Sequence, residues 1–423
     1  MLEITRIRNE FESVVKALKK RGVSGIEKKL NDLIDSDNLR KSQKTEIDKV
    51  FKESNDLSKR IGIAYKSGET DEIESLKNIS QELKEKSKEI AENLKKTENE
   101  INEILYEIPN TPDSRVPEGK SDEDNEVIFS SEVSEVDREL KPHWDLIKEF
   151  GIIDFEIGSS ITGAGFPVYT GDGAILQRAL VNYFLDFARE QGYIEVQPPI
   201  LINEHSALNT GQLPDKEGQM YKLENESLYL IPTAEVPVTN IYNKKIIEKN
   251  LLPIKNSAYT PCFRKEAGSW GSHVRGLNRL HQFDKVEIVQ IHNKNNSEDA
   301  LNSMCDHVQK LIESLELPFR KILLCAGDLG FTSSITYDFE VHAPGQDRWL
   351  ECSSVSNFLT YQSNRMNLKI KDGNSKELAH TLNGSALALP RILASILENN
   401  QEGNSISIPK VLHKYTGFKM ISK

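Results

Sequence analysis

Cysteine and long apolar runs are scarce in this chain and its basic residues are outnumbered by acidic ones, and each of these closes off a class of protein. The four cysteines, Cys262, Cys305, Cys325 and Cys352, form no CxxC pair and have no histidine at zinc-ligand spacing. Neither a disulfide framework nor a zinc site is therefore expected. Free, mostly buried thiols in a reducing cytosol fit better, so a cytoplasmic protein is expected. No apolar stretch approaches membrane-spanning length, and Met1-Leu2-Glu3-Ile4 is not a basic region followed by an apolar run. Neither a membrane partner nor a signal peptide is expected. The net charge of −11 excludes a protein that coats nucleic acid by bulk charge, although not a local basic patch. Also missing are a P-loop, a GxGxxG glycine run, HExxH and a Ser-His-Asp arrangement, so any nucleotide chemistry is not of the usual phosphate-loop kind.

What is present divides along the chain. With 423 residues there is room for two or three domains and a large core. Residues 1–105 are rich in Lys, Glu, Leu and Ile and nearly free of proline. Apolar residues step by three and four through Ile47, Val50, Leu57, Ile61 and Ala64. They do so again through Ile73, Leu76, Ile79, Leu83, Ile90, Leu94, Ile101 and Ile104, with Ser54, Ser87 and Thr97 on missing beats. That spacing predicts a coiled-coil seam. Lys66-Ser67-Gly68-Glu69-Thr70 reads as a helix stop followed by an N-cap, so two helices fold back as an antiparallel hairpin over about 27–105. Each would be ~50 Å long at about 1.5 Å per residue. Residues 109–130, with Pro109, Pro112 and an acidic run at 121–126, read as an irregular linker. Beyond it an amphipathic helix at 175–191, a strand at 192–199 ending in Pro198-Pro199, and alternating short strands and helices predict an α+β domain on a mostly antiparallel sheet. The domains are thus 1–108, a linker, and 131–423.

Four constellations carry chemistry. Phe263-Arg264-Lys265-Glu266 and His281-Gln282-Phe283-Asp284-Lys285-Val286-Glu287 read as antiparallel strands around a glycine-rich loop. Alternation puts Arg264 with Glu266, and Arg279, Phe283 and Glu287 across from them. Charged groups on one sheet surface make poor core and a good cradle for a nucleotide and a small amine. The loop itself, with Trp270, His273 and Arg275 among glycines, offers stacking and charge to nucleic acid. Thr233 and Glu235 share a face if their segment is extended. Glu351 with Ser353 and Ser354 is a hard-oxygen set suited to Mg²⁺ on a phosphate. The run from Asn383 to Arg391 reads as opening a helix whose core face includes Leu387, Ile392, Leu393, Ile396 and Leu397, with Arg391 in its first turns. Taken singly, each has a plainer account: a polar strand end, a locally packed Trp, turn-forming serines, a surface arginine.

In this order the segments resemble seryl-tRNA synthetases of the bacterial type, over essentially the whole chain. The 192–199 segment looks like class II motif 1, 263–287 like motif 2 and 383–391 like motif 3. Thr210-Gly211-Gln212-Leu213-Pro214, Thr233-Ala234-Glu235, Asp328-Leu329-Gly330 and Tyr337-Asp338-Phe339-Glu340 match further family blocks. The resemblance implies a class II synthetase sheet flanked by helices and preceded by a tRNA-binding arm, with motif 1 forming a homodimer. It implies activation of L-serine by ATP to seryl-adenylate, with Mg²⁺ accompanying the ATP, and transfer to the 3′ end of serine tRNA, selenocysteine tRNA being a further possible substrate. Arg264 and Arg391 would be catalytic. Serine would be held by Thr233, Ala234, Glu235, Arg264, Glu287, Asn383 and Ser385. ATP would be held by Arg264, Lys265, Glu266, Arg279, Phe283, Glu351, Cys352, Ser353, Ser354 and Arg391, with Glu351 and Ser354 on the metal. The arm and the motif 2 loop would meet tRNA, with Lys19-Lys20-Arg21 a candidate basic cluster. The chain departs from the family pattern at Lys265, Trp270, Ser272, His273, Cys352, Val355 and Pro390, none of which removes a charged contact. Two other readings stay open: a paralogue that loads a carrier protein, against which the heptad hairpin speaks, and a non-catalytic protein retaining the fold, against which the retained charges speak.

Overall fold

The computed structural model describes residues 1–67, 70–133, 139–267 and 274–423, with 67 and 70–72 as backbone alone. The expected turn at 66–70 lies partly outside these residues, and the loop stretch 268–273, with Trp270, Ser272 and His273, lies wholly outside them. The chain divides into two compact units, one of residues 2–19 and 23–109, the other of residues 1, 20–22 and 110–423.

The smaller unit is built on two long helices, α1 (Ile26–Ser67) and α2 (Thr70–Glu107). Ile47 and Val50 pack with Ile90, while Leu57 and Ala64 pack with Ile73 and Leu76. Early residues of α1 thus meet late residues of α2, which makes the pair antiparallel. The polar beats sit in the seam: Ser54 and Ser87 are half-buried, and Thr97 is buried with its hydroxyl donating to the Asn93 carbonyl at 3.1 Å. Polar layers cost stability but pin the register. One expected seam position is wrong. Ile79 is 42% exposed, and half-buried Ser80 takes the beat between Leu76 and Leu83. A strict three-four step from Leu76 lands on residue 80, and a residue one position off the stripe turns about 100° away from it.

The larger unit carries an eight-stranded sheet. Its elements run β1 (Glu126–Ser130), α3 (Gly171–Glu190), β2 (Ile194–Glu195), α4 (Glu235–Asn240), β3 (Ile254–Phe263), β4 (Gln282–His292), α5 (Ser297–Ser314), β5 (Phe319–Leu323), β6 (Ile335–Ala343), β7 (Arg348–Asn357), α6 (Tyr361–Met366), β8 (His380–Ala388) and α7 (Leu389–Asn399). The strand order is β1-β5-β6-β7-β8-β4-β3-β2. Neighbours are antiparallel except β2 and β3, which are parallel. Leu176, Leu180 and Phe184 of α3, Leu301, Met304 and Val308 of α5, and Ile392, Leu393 and Ile396 of α7 join the sheet in one apolar core. The α+β expectation holds, and among the described residues no helix is long and apolar enough to cross a membrane.

Several local expectations are corrected. The stretch 109–130 is not wholly irregular: Glu126–Ser130 is the edge strand of the sheet, and Val116 is buried in its core. The segment Asn383–Ala388 is strand, not the opening of a helix. The helix begins at Leu389 with Pro390 in its first turn, where a missing N–H costs nothing. Thr233-Ala234-Glu235 is not extended but turns into α4. Lys20 and Arg21 are bonded internally within the larger unit. Arg21 donates to the carbonyls of Asn110, Leu329, Gly330 and Ser333, and Lys20 to that of Val116. Burial pushes the Arg21 guanidinium down to about 10. Of the basic cluster expected to meet RNA, Lys19 alone is exposed, and it pairs with Glu27 at 3.1 Å.

Candidate active site

The site is built on strands β3, β4, β7 and β8. Strand pairing sets Cys262 opposite Phe283, Thr260 opposite Lys285 and Ala258 opposite Glu287. Alternation therefore puts Phe283, Lys285 and Glu287 on one face of β4. Ser385 of β8 lies directly across from Glu287, and Asn383 sits two residues away on the same side. Past β3 the ladder continues for one more bond, Arg264 N–H to the His281 carbonyl at 2.9 Å. The chain then turns, with Glu266 in the left-handed region at φ 48°. Arg279 is in a turn before β4 rather than on the strand, yet it reaches the same surface.

Two halves adjoin on this surface. The first is buried. Lys285 Nζ lies 2.5 Å from Glu287 Oε2 and donates to Thr233 Oγ1 at 2.9 Å, while the Thr233 hydroxyl donates to Glu287 at 3.2 Å. Glu235, the first residue of α4, donates its N–H to Thr233 Oγ1 at 3.2 Å and accepts from Gln362 Nε2 at 2.6 Å. Gln362 is itself held by the Thr381 hydroxyl at 2.7 Å. Two carboxylates thus face one ammonium in a buried setting. Burial, then the charge of Glu287, pushes the Glu235 carboxyl up to about 7, against the pull of Gln362, Lys285 and Asn383. The Nδ2 of Asn383 is buried beside them and, among the described residues, completes no hydrogen bond. A second small cation with donors to spare would relieve both the excess negative charge and the carboxylates' unfilled lone pairs.

The second half is open. A cavity there is lined by Arg264, Glu266, Arg279, Phe283, Glu351 and Arg391, among others. The Arg264 guanidinium stands over the Phe283 ring, 5.2 Å from its centre. Arg279 Nε pairs with Glu266 at 3.1 Å. Arg391 donates to the Glu351 carbonyl at 2.6 Å and lies 3.5 Å from its carboxylate. Three guanidiniums around an aromatic plate suit a planar base and a run of phosphates.

A bulge completes the wall. Across β6 and β7, Glu340 pairs with Glu351 and Asp338 with Ser354, the register slipping between them at Cys352. Asp338 and Glu340 are two apart and share a face, so Glu351 and Ser354 share it too, although they are three apart. In a regular strand they would point to opposite sides. Burial and then the Glu351 charge hold the Asp338 carboxyl well above the usual carboxylate range, against a bond from Ser354.

The expected residues divide accordingly. Arg264, Glu266, Arg279, Phe283, Glu351 and Arg391 come together around the cavity, and Thr233, Glu235, Glu287, Asn383 and Ser385 beside it. Four do not present their side chains. Lys265 points the other way, over the Tyr221 ring at 5.9 Å. Ala234 is packed among Val238, Ala258 and Val289. The Cys352 thiol turns to the Phe339 carbonyl, and the Ser353 hydroxyl donates to the Ser385 carbonyl at 2.6 Å. Two residues were not foreseen. Lys285 was visible, since it falls on the alternation between Phe283 and Glu287. Gln362 carries no local signal, because it arrives on α6 from far along the chain.

Comparison with known proteins decides the family. Residues 1–112 match the seryl-tRNA synthetase N-terminal domain, and residues 220–400 the tRNA synthetase class II core domain (G, H, P, S and T). A serine--tRNA ligase of Salinibacter ruber is 45% identical, covering 100% of this chain and 99% of its own. One from Finegoldia magna is 45% identical over the full length of both. The chain belongs to the seryl-tRNA synthetase family. Among solved structures, a seryl-tRNA synthetase from Pyrococcus horikoshii complexed with ATP superposes with a TM-score of 0.90 at 32% identity, covering 100% of this chain and 99% of that one. A cytoplasmic serine-tRNA ligase from Naegleria fowleri in complex with AMP superposes at 0.85 with 26% identity, covering 100% and 99%. An ATP-using synthetase of this class works with a divalent cation. The carboxylate of Glu351 and the hydroxyl of Ser354, brought to one face by the bulge, are hard oxygen donors of the kind such an ion takes when phosphates supply the rest.

Proposed function

We propose that this family member activates L-serine with ATP to seryl-adenylate and pyrophosphate, then transfers the seryl group to the 3′-terminal adenosine of serine tRNA. The observation that carries the serine half is the buried pair Glu235 and Glu287 facing one lysine, beside an Asn383 Nδ2 that completes no hydrogen bond among the described residues. A serine ammonium fits against Glu235 and Thr233. The serine hydroxyl donates to Glu287 beside Ser385 and Asn383. Alanine would leave those buried groups unpaired, which a site of this kind rejects by roughly 10⁴–10⁵-fold. Threonine, carrying the same hydroxyl, has to be excluded by bulk.

On the nucleotide side, Phe283 stacks on the adenine with Arg391 over its other face, Glu266 accepts from the adenine amino group, and Arg279 meets the phosphates. Arg264 bridges the serine carboxylate and the α-phosphate, for which its planar fork is suited. The carboxylate oxygen attacks the α-phosphorus and the bond to the β-phosphate oxygen breaks, releasing pyrophosphate. A terminal ribose hydroxyl then attacks the seryl carbonyl and AMP leaves. Mg²⁺ with the ATP, held by Glu351 and Ser354, would neutralise phosphate charge. The protein's residues otherwise position the reactants and stabilise charge, without a covalent enzyme intermediate.

The remaining parts follow the same reading: residues 1–108 as a tRNA-binding arm, 131–423 as the catalytic domain, and the exposed Ile194 edge of 192–199 within a homodimer interface. Charging of bulk tRNA with labelled serine tests it. Charging that needs ATP and Mg²⁺ supports the assignment. Serine-dependent pyrophosphate exchange without charging would instead point to a carrier-protein ligase. Deleting residues 30–105 should spare that exchange and cripple charging, and equal charging by the truncated chain would remove the role given to the arm.

A further inference from the structure

A buried polar chain lies behind the nucleotide cavity. His143 and Glu398 are both fully buried, and Glu398 Oε1 accepts from the His143 backbone N–H at 2.9 Å and pairs with the ring Nδ1 at 2.7 Å. The other ring nitrogen, Nε2, accepts the backbone N–H of Leu277 at 2.9 Å. A nitrogen that accepts carries no proton, so the ring is the neutral tautomer with its hydrogen on Nδ1, given to Glu398. The same carboxylate takes the Gly345 N–H at 2.9 Å and Gln346 Nε2 at 2.8 Å. Gln346 Oε1 in turn accepts from Asn278 Nδ2 at 2.8 Å. One buried carboxylate therefore reaches the turn at 275–280 by two routes, through His143 to the backbone of Leu277 and through Gln346 to Asn278.

The turn fits closely against this support. A Cβ on Gly276, which has φ 66°, would stand 2.3 Å from His143 Nε2. The Arg275 guanidinium lies 4.8 Å from the centre of the Trp144 ring, beside His143. What the turn carries faces the cavity. Arg279 pairs there with Glu266, and the Asn278 carbonyl accepts from Arg391 Nε at 3.2 Å. The turn thus places one cavity guanidinium and anchors a second, and a shift of its backbone would move both.

We infer that His143 and Glu398 are positioning residues for ATP: through Leu277 and Asn278 they hold Arg279 and Arg391 where the nucleotide is gripped. Neither touches the cavity, so neither is a catalytic residue. This rests on the assignment of the cavity to ATP. It predicts an effect confined to the nucleotide, since Thr233, Glu235, Lys285 and Glu287 take no support from this chain of bonds.

The test compares His143→Ala with His143→Gln, whose amide oxygen can stand where Nε2 accepts. Read-outs are serine-dependent ATP–pyrophosphate exchange and ATP binding by calorimetry without serine. The expected result for His143→Ala is a rise in KM and Kd for ATP of about tenfold, the scale of one lost buried hydrogen bond, with KM for serine unchanged. His143→Gln should recover part of it. Gln346→Ala, on the turn at 344–347, serves if His143→Ala does not fold, with a smaller rise expected. Unchanged ATP affinity in a folded variant, or equal changes in both KM values, overturns the inference. Absence of serine-dependent exchange in the unaltered protein would instead overturn the functional assignment on which it rests.

Discussion

The two halves of the cleft use charge in opposite ways. Glu235, Lys285 and Glu287 are 8%, 5% and 2% exposed; Lys285 pairs with Glu287, Thr233 bonds to all three, and Gln362 bonds to Glu235. Across the cavity, the side chains of Arg279 and Glu351 are 45% and 47% exposed, and their partners Glu266 and Arg391 16% and 28%, so each ion pair is open to water on one side. For buried groups a missing partner costs its full desolvation, so the buried half can discriminate. Charges in the open half are screened and individually weak, and several must act together to grip a polyanion. Selection of the small amine is therefore assigned to burial, and grip on the nucleotide to number and placement.

The comparison can be broken in four places. Arg264 belongs to both halves, standing over Phe283 with its Nε on the Pro232 carbonyl at 3.3 Å. Arg264→Ala should lower serine-dependent pyrophosphate exchange by about a thousandfold or more, with the folded state unchanged by circular dichroism. Near-normal exchange would sink the assignment.

Glu235 comes next. Its carboxyl is pushed up to about 7 by burial and by Glu287, and the ionised form is the one that holds an ammonium. As pH rises from about 6 to 8 the competent fraction grows, so KM for serine should fall about tenfold and then level off. Glu235→Gln should raise KM for serine and flatten that profile while leaving ATP affinity alone. A variant that keeps the slope would show that another group titrates.

Arg279→Ala should raise KM for ATP about tenfold at low salt, and the penalty should shrink as salt is added, since this arginine is open to solvent. A salt-independent penalty would mean that the pair with Glu266 acts as a buried one.

The smallest effect at neutral pH lies away from the cleft. His292, His307 and His380 are held down to about 4 by burial, first of all. The unfolded chain takes up protons below its own value of 6.5, before the folded one does. Their stabilising contribution is therefore complete above that pH and drains away as pH falls towards about 4. Thermal melts across that range should show a falling Tm. His307, whose ring nitrogens complete no hydrogen bond among the described residues, should be the most informative single replacement.

Much of the fold was legible. Heptad steps placed both arm helices, and the missing beats Ser54, Ser87 and Thr97 occupy the seam as expected. Ile79 misled because an apolar residue one place off the stripe looks the same in a list of apolar residues. Within the cleft, alternation along β4 placed Phe283 and Glu287 correctly and would have placed Lys285. Alternation failed where the backbone is irregular. Thr233 and Glu235 meet across a turn into a helix, Arg279 approaches from a turn, and Glu351 joins Ser354 through a bulge. Lys20 and Arg21 looked like a surface cluster, and no local pattern says that carbonyls near 110 and 330 will claim them.

Periodicity is a property of neighbours, so residues a few places apart decided helix, strand and face without help from the rest of the chain. Which buried group meets which is a property of packing. The sheet brings Glu235, Lys285 and Gln362 together from three separate segments, and Glu398 to His143 across 255 residues. Those meetings set the charge state of Glu235, because desolvation and partner charge act through space rather than along the chain, and the tautomer of His143, through the backbone N–H that its Nε2 accepts.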